Sequence, residues 1–228
     1  LRAETRNRPE SSVIAWRNLA QTSISVARYA PAAFSPNECN VLLKQFSSLT
    51  WIRPLKADGG LMPRWTAWYT KFPCNCSYKY GQFLVEAQAI PNWLLDLTYK
   101  IEFLIDAAVP FNSININRYD SGHDGVGWHA DDEALFDGVN NSTTIASLSL
   151  GATRKFQVKF KDKDGVVIGI DLKQGDLLTM EGLFQKEFVH RVPIGDNHQH
   201  SAPRYNITWR TISSHKSGCP CCSNSDLT

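Results

Sequence analysis

Pro203-Arg204-Tyr205-Asn206-Ile207-Thr208-Trp209-Arg210 reads as a β-strand within 204–212. Side chains an even number of positions apart share a strand face, so Arg204, Asn206 and Arg210 can point inward together. An inward guanidinium has a high desolvation cost unless an anion compensates it, and a carboxylate matching its fork is the natural partner. Two such arginines imply a dicarboxylate ligand, or one arginine for a ligand and one for a neighbouring protein carboxylate. Taken singly, each arginine is better explained by pairing with a surface Asp or Glu.

Upstream of this strand the chain reads as short strands separated by polar turns, at 113–119, 126–130, 143–150, 154–160, 166–171, 176–180 and 187–192. Asp162–Gly165 and Gly175-Asp176 supply turns. About eight such strands point to a closed or double-sheet antiparallel architecture, a jelly roll or double-stranded β-helix. Two helices precede it. Ser35-Pro36 with Glu38 forms a capping box and opens a helix over 36–48, whose stripe is Val41, Leu42, Phe46 and Leu49. Pro91 opens a second over 91–107, with Leu94, Leu97, Ile101, Phe103, Leu104 and Ile105 as its buried face. Between them, 51–90 reads as β-structure with a hairpin turn at Asp58-Gly59-Gly60. The expected class is α+β, mainly β, with the helices buttressing one sheet. One domain spans 30–213, after a polar, poorly packed lead-in over 1–29 and before a Cys-rich tail over 214–228.

Composition narrows the function classes. The 228 residues are 43% hydrophobic and 20% charged, enough apolar mass for a core and too little charge for a disordered chain. No apolar run approaches the length that spans a bilayer, so no membrane partner is expected. Net charge is only +2, but 51–79 carries Arg53, Lys56, Arg64, Lys71 and Lys79 against Asp58 alone, a local excess that can attract phosphates. A solvated basic hairpin explains that excess equally well. The first thirty residues contain five arginines and no apolar leader, which sets the expectation of an intracellular chain, in nucleus or cytoplasm, with reduced thiols. Because the chain opens on Leu1, a removed targeting piece stays open. Six cysteines lack the spacing of a disulfide scaffold. Cys74-x-Cys76 with Cys219-Pro-Cys221-Cys222 is a weak zinc signal, and loosely ordered free thiols are the expectation.

Trp128-His129-Ala130-Asp131 places an imidazole and a carboxylate on one strand face. His190, in Phe188-Val189-His190-Arg191, supplies a third ligand from another strand. Two histidines and a carboxylate form a facial triad that leaves positions open on a ferrous ion. An H-x-D alone is more often a surface pair; the inward arginines downstream shift the balance.

In order and spacing, Asn117-Arg118-Tyr119, His129-x-Asp131, His190 and Arg204-x-Asn206-x-x-x-Arg210 resemble the AlkB-type Fe(II)/2-oxoglutarate dioxygenases. The resemblance is strongest to the nucleic-acid-repair branch that includes human AlkB homologues two and three. Pro63-Arg64, Ala67-Trp68-Tyr69, Asn112-Ser113, Ile145 to Arg154 and Met180-Glu181-Gly182 also look like that branch, and the likeness covers roughly 30–213. It implies Fe(II) on His129, Asp131 and His190, with dioxygen as cosubstrate. It implies Arg204 on the far carboxylate of 2-oxoglutarate with Asn117 and Tyr119 beside it, and Arg210 near the metal-proximal carboxylate with Asn206 close by. It further implies oxidation of a methyl on a base nitrogen of DNA or RNA, 1-methyladenine or 3-methylcytosine, releasing formaldehyde, succinate and carbon dioxide. Such a base must be flipped out or already unpaired. Tyr78 and Tyr80 resemble a lid pair over 51–90, with Tyr69 as a further aromatic wall, and cross-strand packing is the plain alternative for the pair. Arg64 belongs to the same recognition surface. Glu133 matches an acidic residue near the base edge, or is a solvated strand end. Leu61 or Met62 is the candidate wedge at an aliphatic hairpin tip, which fits single-stranded nucleic acid slightly better than duplex. A monomer is expected. Two other readings share the sequence: the same chemistry on a protein side chain or small molecule, and a non-catalytic nucleic-acid-binding module.

Overall fold

The computed structural model describes residues 14–222 apart from 57, 81–82, 163–164 and 195–201. In chain order it contains β1 (Arg17–Gln21), β2 (Ser25–Ala30), α1 (Pro36–Gln45) with a 3-10 turn at Phe46–Ser48, β3 (Trp65–Thr70), β4 (Tyr78–Tyr80), β5 (Phe83–Val85), β6 (Gln88–Ala89) and α2 (Asn92–Ile105). Then come β7 (Ser113–Tyr119), β8 (Val126–His129), β9 (Thr143–Gly151), β10 (Arg154–Phe160), β11 (Ile168–Leu172), β12 (Leu177–Gly182), the single turn α3 (Phe184–Glu187), β13 (Phe188–Val192) and β14 (Arg204–Arg210).

Eight strands form one sheet in the order β1-β2-β12-β9-β14-β7-β3-β6, and four form a second, β11-β10-β13-β8. The interleaving of strands distant in sequence is the jelly-roll arrangement. The large sheet lies between two apolar layers. One face packs α1 and α2 through Ile114, Ile116, Leu148, Leu150, Ile207, Trp209, Leu94, Leu97 and Ile101. The other faces the small sheet through Tyr119, Ile145, Leu178, Met180, Phe156, Val158 and Phe188. Period-two alternation in β14 therefore sends Ile207 and Trp209 toward the helices, where Trp209 Nε1–H donates to Thr98 Oγ1 at 2.9 Å, and sends Arg204, Asn206, Thr208 and Arg210 into the space between the sheets.

The capping box at Ser35 forms as expected: Ser35 Oγ accepts Glu38 N–H at 3.4 Å, and Glu38 Oε2 accepts Ser35 N–H at 2.8 Å. Two details of the helices differ from the sequence reading. Val41 is exposed while Cys39 takes the fully buried position of α1, and Phe103 is exposed while Thr98 is buried in α2. A hydrophobic stripe wider than the contact with the sheet leaves its flank in water.

The lead-in is the larger correction. From Arg17 onward it folds, β2 pairing with β12 over Ser25–Ala30 and β1 with β2. Its inward residues are small, Ala20, Ser25, Ala27 and Ala30, so the segment carries little of the β-branched and aromatic signal by which strands are read. The expected tail also packs: Cys219 is buried against Cys74, Cys76, Trp68 and Ile212. The basic stretch is partly neutralised by residues outside it, since Arg53 Nη2 lies 2.9 Å from Asp124 Oδ1. Among the described residues, no helix is long and apolar enough to cross a membrane.

Candidate active site

β8 and β13 lie side by side with His129 opposite His190, and their ring centroids are 4.3 Å apart. β8 ends at His129, so Asp131 stands just past the strand rather than in it. It is held there by its backbone N–H, which donates to the buried Gln185 Oε1 at 2.9 Å. One ligand atom each of His129, Asp131 and His190 lies within 4.8 Å of the others. His129 Nδ1 sits 2.8 Å from Gly127 O, which leaves Nε2 toward the site, 3.7 Å from Asp131 Oδ1. The second carboxylate oxygen is committed: Arg210 Nε and Nη2 donate to Asp131 Oδ2 at 2.9 and 2.6 Å.

These positions set the charge states. Burial alone would raise the Asp131 carboxyl, but Arg210, His190 and His129 together hold it well below the usual carboxylate range. Burial also works against the Arg210 cation, and Asp131 outweighs it, so the guanidinium is more firmly protonated than usual. Burial, then the neighbouring His129, pushes the His190 imidazole down to about 3. The neutral imidazole is the form that binds a metal.

The cavity beside this triad measures about 220 Å³. Its large-sheet wall is a polar layer from three strands: Asn115, Asn117 and Tyr119 of β7, Ser147 of β9, and Arg204, Asn206, Thr208 and Arg210 of β14. Arg204 Nη2 donates to Ser149 Oγ at 3.0 Å, Asn206 Nδ2 to Ser147 Oγ at 2.7 Å, and Thr208 Oγ1 to Asn206 Oδ1 at 2.9 Å. Arg204 is almost completely buried, its guanidinium 5.3 Å from the Tyr119 ring centroid, and its Nε and Nη1 have no partner among the described residues. Burial pushes this cation below its ordinary value, with no carboxylate to offset it. The two arginines thus divide as one of the sequence readings allowed: Arg210 takes a protein carboxylate, and Arg204 has none among the described residues.

Arg64, Tyr78, Lys79 and Glu133 also line this cavity. Tyr78 stacks on Trp68, centroids 4.9 Å apart, and its hydroxyl donates to Glu133 Oε1 at 2.6 Å. Glu133 Oε2 is buried and has no partner among the described residues. Burial and the nearby Asp131 push the Glu133 carboxyl up.

Tyr69 is not at this site. One residue from Trp68 on β3, it faces the other side of the sheet and is buried with Leu94 and Ile101 under the helices. Leu61 is exposed at the hairpin tip, and Met62 packs against the Trp68 cluster; neither lines the cavity. Tyr80 pairs with Phe83 through its backbone, and its side chain lies outside the described residues. Ser147, Ser149, Thr208 and Gln185, which hydrogen-bond to Asn206, Arg204 and Asp131 at this site, are not singled out by the sequence reading. The alternation Ile145-Ala146-Ser147-Leu148-Ser149-Leu150 was the available signal for the serines; nothing local marks Gln185, which meets Asp131 only through the fold.

The donor set fits a ferrous ion, two imidazoles and a carboxylate being a facial triad. The orphaned Arg204 nitrogens fit the carboxylate of a 2-oxo acid. A family model described as the 2OG-Fe(II) oxygenase superfamily matches residues 26–210. The mouse "Alpha-ketoglutarate-dependent dioxygenase alkB homolog 3" is 36% identical over 216 residues, 89% of this chain and 72% of the mouse protein. Its human counterpart is 32% identical over 221 residues with the same coverage, 89% and 72%. The Arabidopsis thaliana "DNA oxidative demethylase ALKBH2" is 30% identical over 141 residues, 52% of this chain and 42% of that protein. Among solved structures, that of OsALKBH1 superposes with a TM-score of 0.58 at 16% identity, covering 81% of this chain and 97% of that one, a likeness of fold. With the ligand atoms of His129, Asp131 and His190 gathered at the paired strands β8 and β13 and a matching family model across most of its length, the chain belongs to the 2OG-Fe(II) oxygenase superfamily and is an Fe(II)/2-oxoglutarate-dependent dioxygenase.

Proposed function

We propose that this dioxygenase removes methyl groups from the ring nitrogens of bases such as 1-methyladenine and 3-methylcytosine in single-stranded DNA or RNA. The observation that carries the reading is Glu133: a buried carboxylate oxygen with no partner among the described residues, at the cavity beside the triad. Such a group calls for a cation or an N–H donor. A base methylated on a ring nitrogen brings both, a positive charge and an exocyclic amine. Tyr78, braced by Trp68 and anchored to Glu133, offers the flat wall on which a base stacks. Arg64 and Lys79, lining the same cavity, suit the flanking phosphates.

His129, Asp131 and His190 would hold the iron, and Arg204 with Asn117 and Tyr119 the 2-oxoglutarate. When bound, that pair supplies an oxidant from dioxygen as 2-oxoglutarate is converted to succinate and carbon dioxide. The chain's own part is geometric and electrostatic. Arg210 fixes the Asp131 carboxylate by holding one oxygen, and the stacked Tyr78 aligns the base. Hydroxylation of N–CH3 gives N–CH2OH, which releases formaldehyde and leaves the unmodified base. A single aliphatic residue at the tip, Leu61, has little bulk to fill the gap left by a flipped base, which favours strands already unpaired.

Mass spectrometry after incubation with Fe(II), 2-oxoglutarate and methylated single- and double-stranded oligonucleotides tests this. The expected outcome is one formaldehyde per base repaired, faster on single strands, with Glu133→Gln losing at least tenfold in kcat/KM on cationic bases. Succinate formed without formaldehyde from any oligonucleotide would overturn it in favour of a protein or small-molecule substrate.

A further inference from the structure

A second group of metal-ligating side chains lies behind Tyr78, and the dioxygenase reaction uses none of them. Cys74 and Cys76 come from the loop between β3 and β4, and His215, Cys219 and Cys221 from the segment after β14, some 140 positions later. One ligand atom each of Cys74, His215, Cys219 and Cys221 lies within 4.8 Å of the others. His215 Nδ1 stands 3.5 Å from Cys74 Sγ and 3.4 Å from Cys219 Sγ, and the two sulfurs are 3.8 Å apart.

Those separations discriminate between explanations. A disulfide would place sulfurs at about 2.05 Å, and all six cysteines are free. With Zn–S near 2.3 Å and Zn–N near 2.0 Å, tetrahedral angles put sulfurs about 3.8 Å apart and sulfur and nitrogen about 3.6 Å apart. The three distances among Cys74, His215 and Cys219 match edges of that tetrahedron, and the Cys221 ligand atom lies within 4.8 Å of all three. Nor do these thiols line up at a surface: Cys74, Cys76 and Cys219 are buried among Trp68, Phe136 and Ile212. A thiol is a weak hydrogen-bond donor, so converging several in an apolar pocket gains little without a centre to hold them.

We infer that this chain carries a structural zinc ion held by Cys74, His215, Cys219 and Cys221, separate from the iron. Binding displaces the three thiol protons, and the resulting set of three thiolates and one imidazole selects zinc, as the two imidazoles and carboxylate of the triad select iron. Cys76 supports the site from beside it. Its Sγ, 3.7 Å from His215 Nδ1, accepts the Lys216 N–H at 3.4 Å, and its carbonyl accepts the Trp68 indole N–H at 2.8 Å. Because Trp68 stacks on Tyr78, the ion fastens the C-terminal segment to the wall of the active-site cavity. Two segments that do not pair through any strand are thereby joined.

The test is the metal content of the full chain. After dialysis against a chelator that strips the ferrous site, elemental analysis should find about one zinc per chain. The same amount should remain in a His129→Ala/His190→Ala variant and fall below about a tenth in Cys74→Ser/Cys219→Ser. Cobalt(II) exchanged into the unsubstituted protein should show thiolate-to-cobalt charge transfer in the near ultraviolet, a readout that needs no variant to fold. Zinc absent from the unsubstituted chain together with no thiolate band, or zinc lost with the histidine pair and kept without the cysteines, would overturn the site. Neither measurement depends on which substrate the enzyme oxidises.

Discussion

Arg204 and Arg210 share one face of β14, yet they sit in opposite electrostatic situations. Arg210 is balanced by Asp131, while Arg204 is buried with two nitrogens unpartnered among the described residues. The second situation is tolerable only if the protein gains an anion. Arg204→Lys should therefore weaken 2-oxoglutarate binding about 10- to 100-fold, since an ammonium cannot reproduce the planar fork and a charged hydrogen bond is worth about 1.5–3 kcal/mol. Calorimetric titration with 2-oxoglutarate would check it, and an unchanged Kd would place the anion elsewhere. His190 makes the opposite kind of prediction. Its imidazole titrates near 6.5 when unfolded but is pushed to about 3 by burial in the native chain. Below the higher value the unfolded chain binds a proton that the folded chain does not. The metal-free protein should therefore lose stability as pH falls from about 6.5 toward 3, by up to about 1.4 kcal/mol per pH unit from this residue. Urea melts of the metal-free chain at several pH values would measure the slope, and His190→Gln should remove that part of it.

At the scale of the element, the position of Arg204 depends on where β14 begins, and that is set by a glycine. Gly151, at the end of β9, lies opposite Arg204 in the register and has a φ of +78°. A Cβ there would come within 2.3 Å of Pro203 O. Gly151→Ala combines a left-handed backbone with a backbone clash and should cost about 2–3 kcal/mol. Because the strain falls on the residue before Arg204, the variant should also bind 2-oxoglutarate more weakly. A lower Tm in thermal melts with the cosubstrate Kd unchanged would separate the two effects and contradict the second. The jelly-roll strands themselves were legible at this scale: 113–119 and 154–160 match β7 and β10 residue for residue. They announce themselves through β-branched and aromatic residues bounded by turns. β1 and β2 do not, because they bury mainly alanine against β12 and expose polar side chains.

For the whole molecule, β1 and β2 extend the large sheet past β12 and cover what would otherwise be an open edge. Arg28 ties the addition down through Glu181 at 2.6 Å, and the Thr22 and Ser25 hydroxyls donate to Glu187. A chain beginning at Pro31 would expose the β12 edge, a template for pairing with another chain. It should aggregate on size-exclusion chromatography or lose several degrees in Tm; a monodisperse truncation of equal stability would show the two strands to be dispensable.

The sequence alone determined the strand-rich core, the capped helix and the His129-x-Asp131 pair on which the triad reading starts, because each rests on short-range facts: period-two alternation, a capping box, a histidine two residues from an aspartate; that His190 meets the pair is a fact of the fold. Tertiary structure decided which arginine meets which carboxylate, which aromatic residue faces the cavity, and that Cys74 lies 3.8 Å from Cys219. Tyr69 and Tyr78 illustrate the difference. Both read as aromatic strand residues, yet sheet pairing turns one toward α2 and stacks the other on Trp68. Pairings of that kind join residues far apart in the chain, and no local pattern encodes their distance.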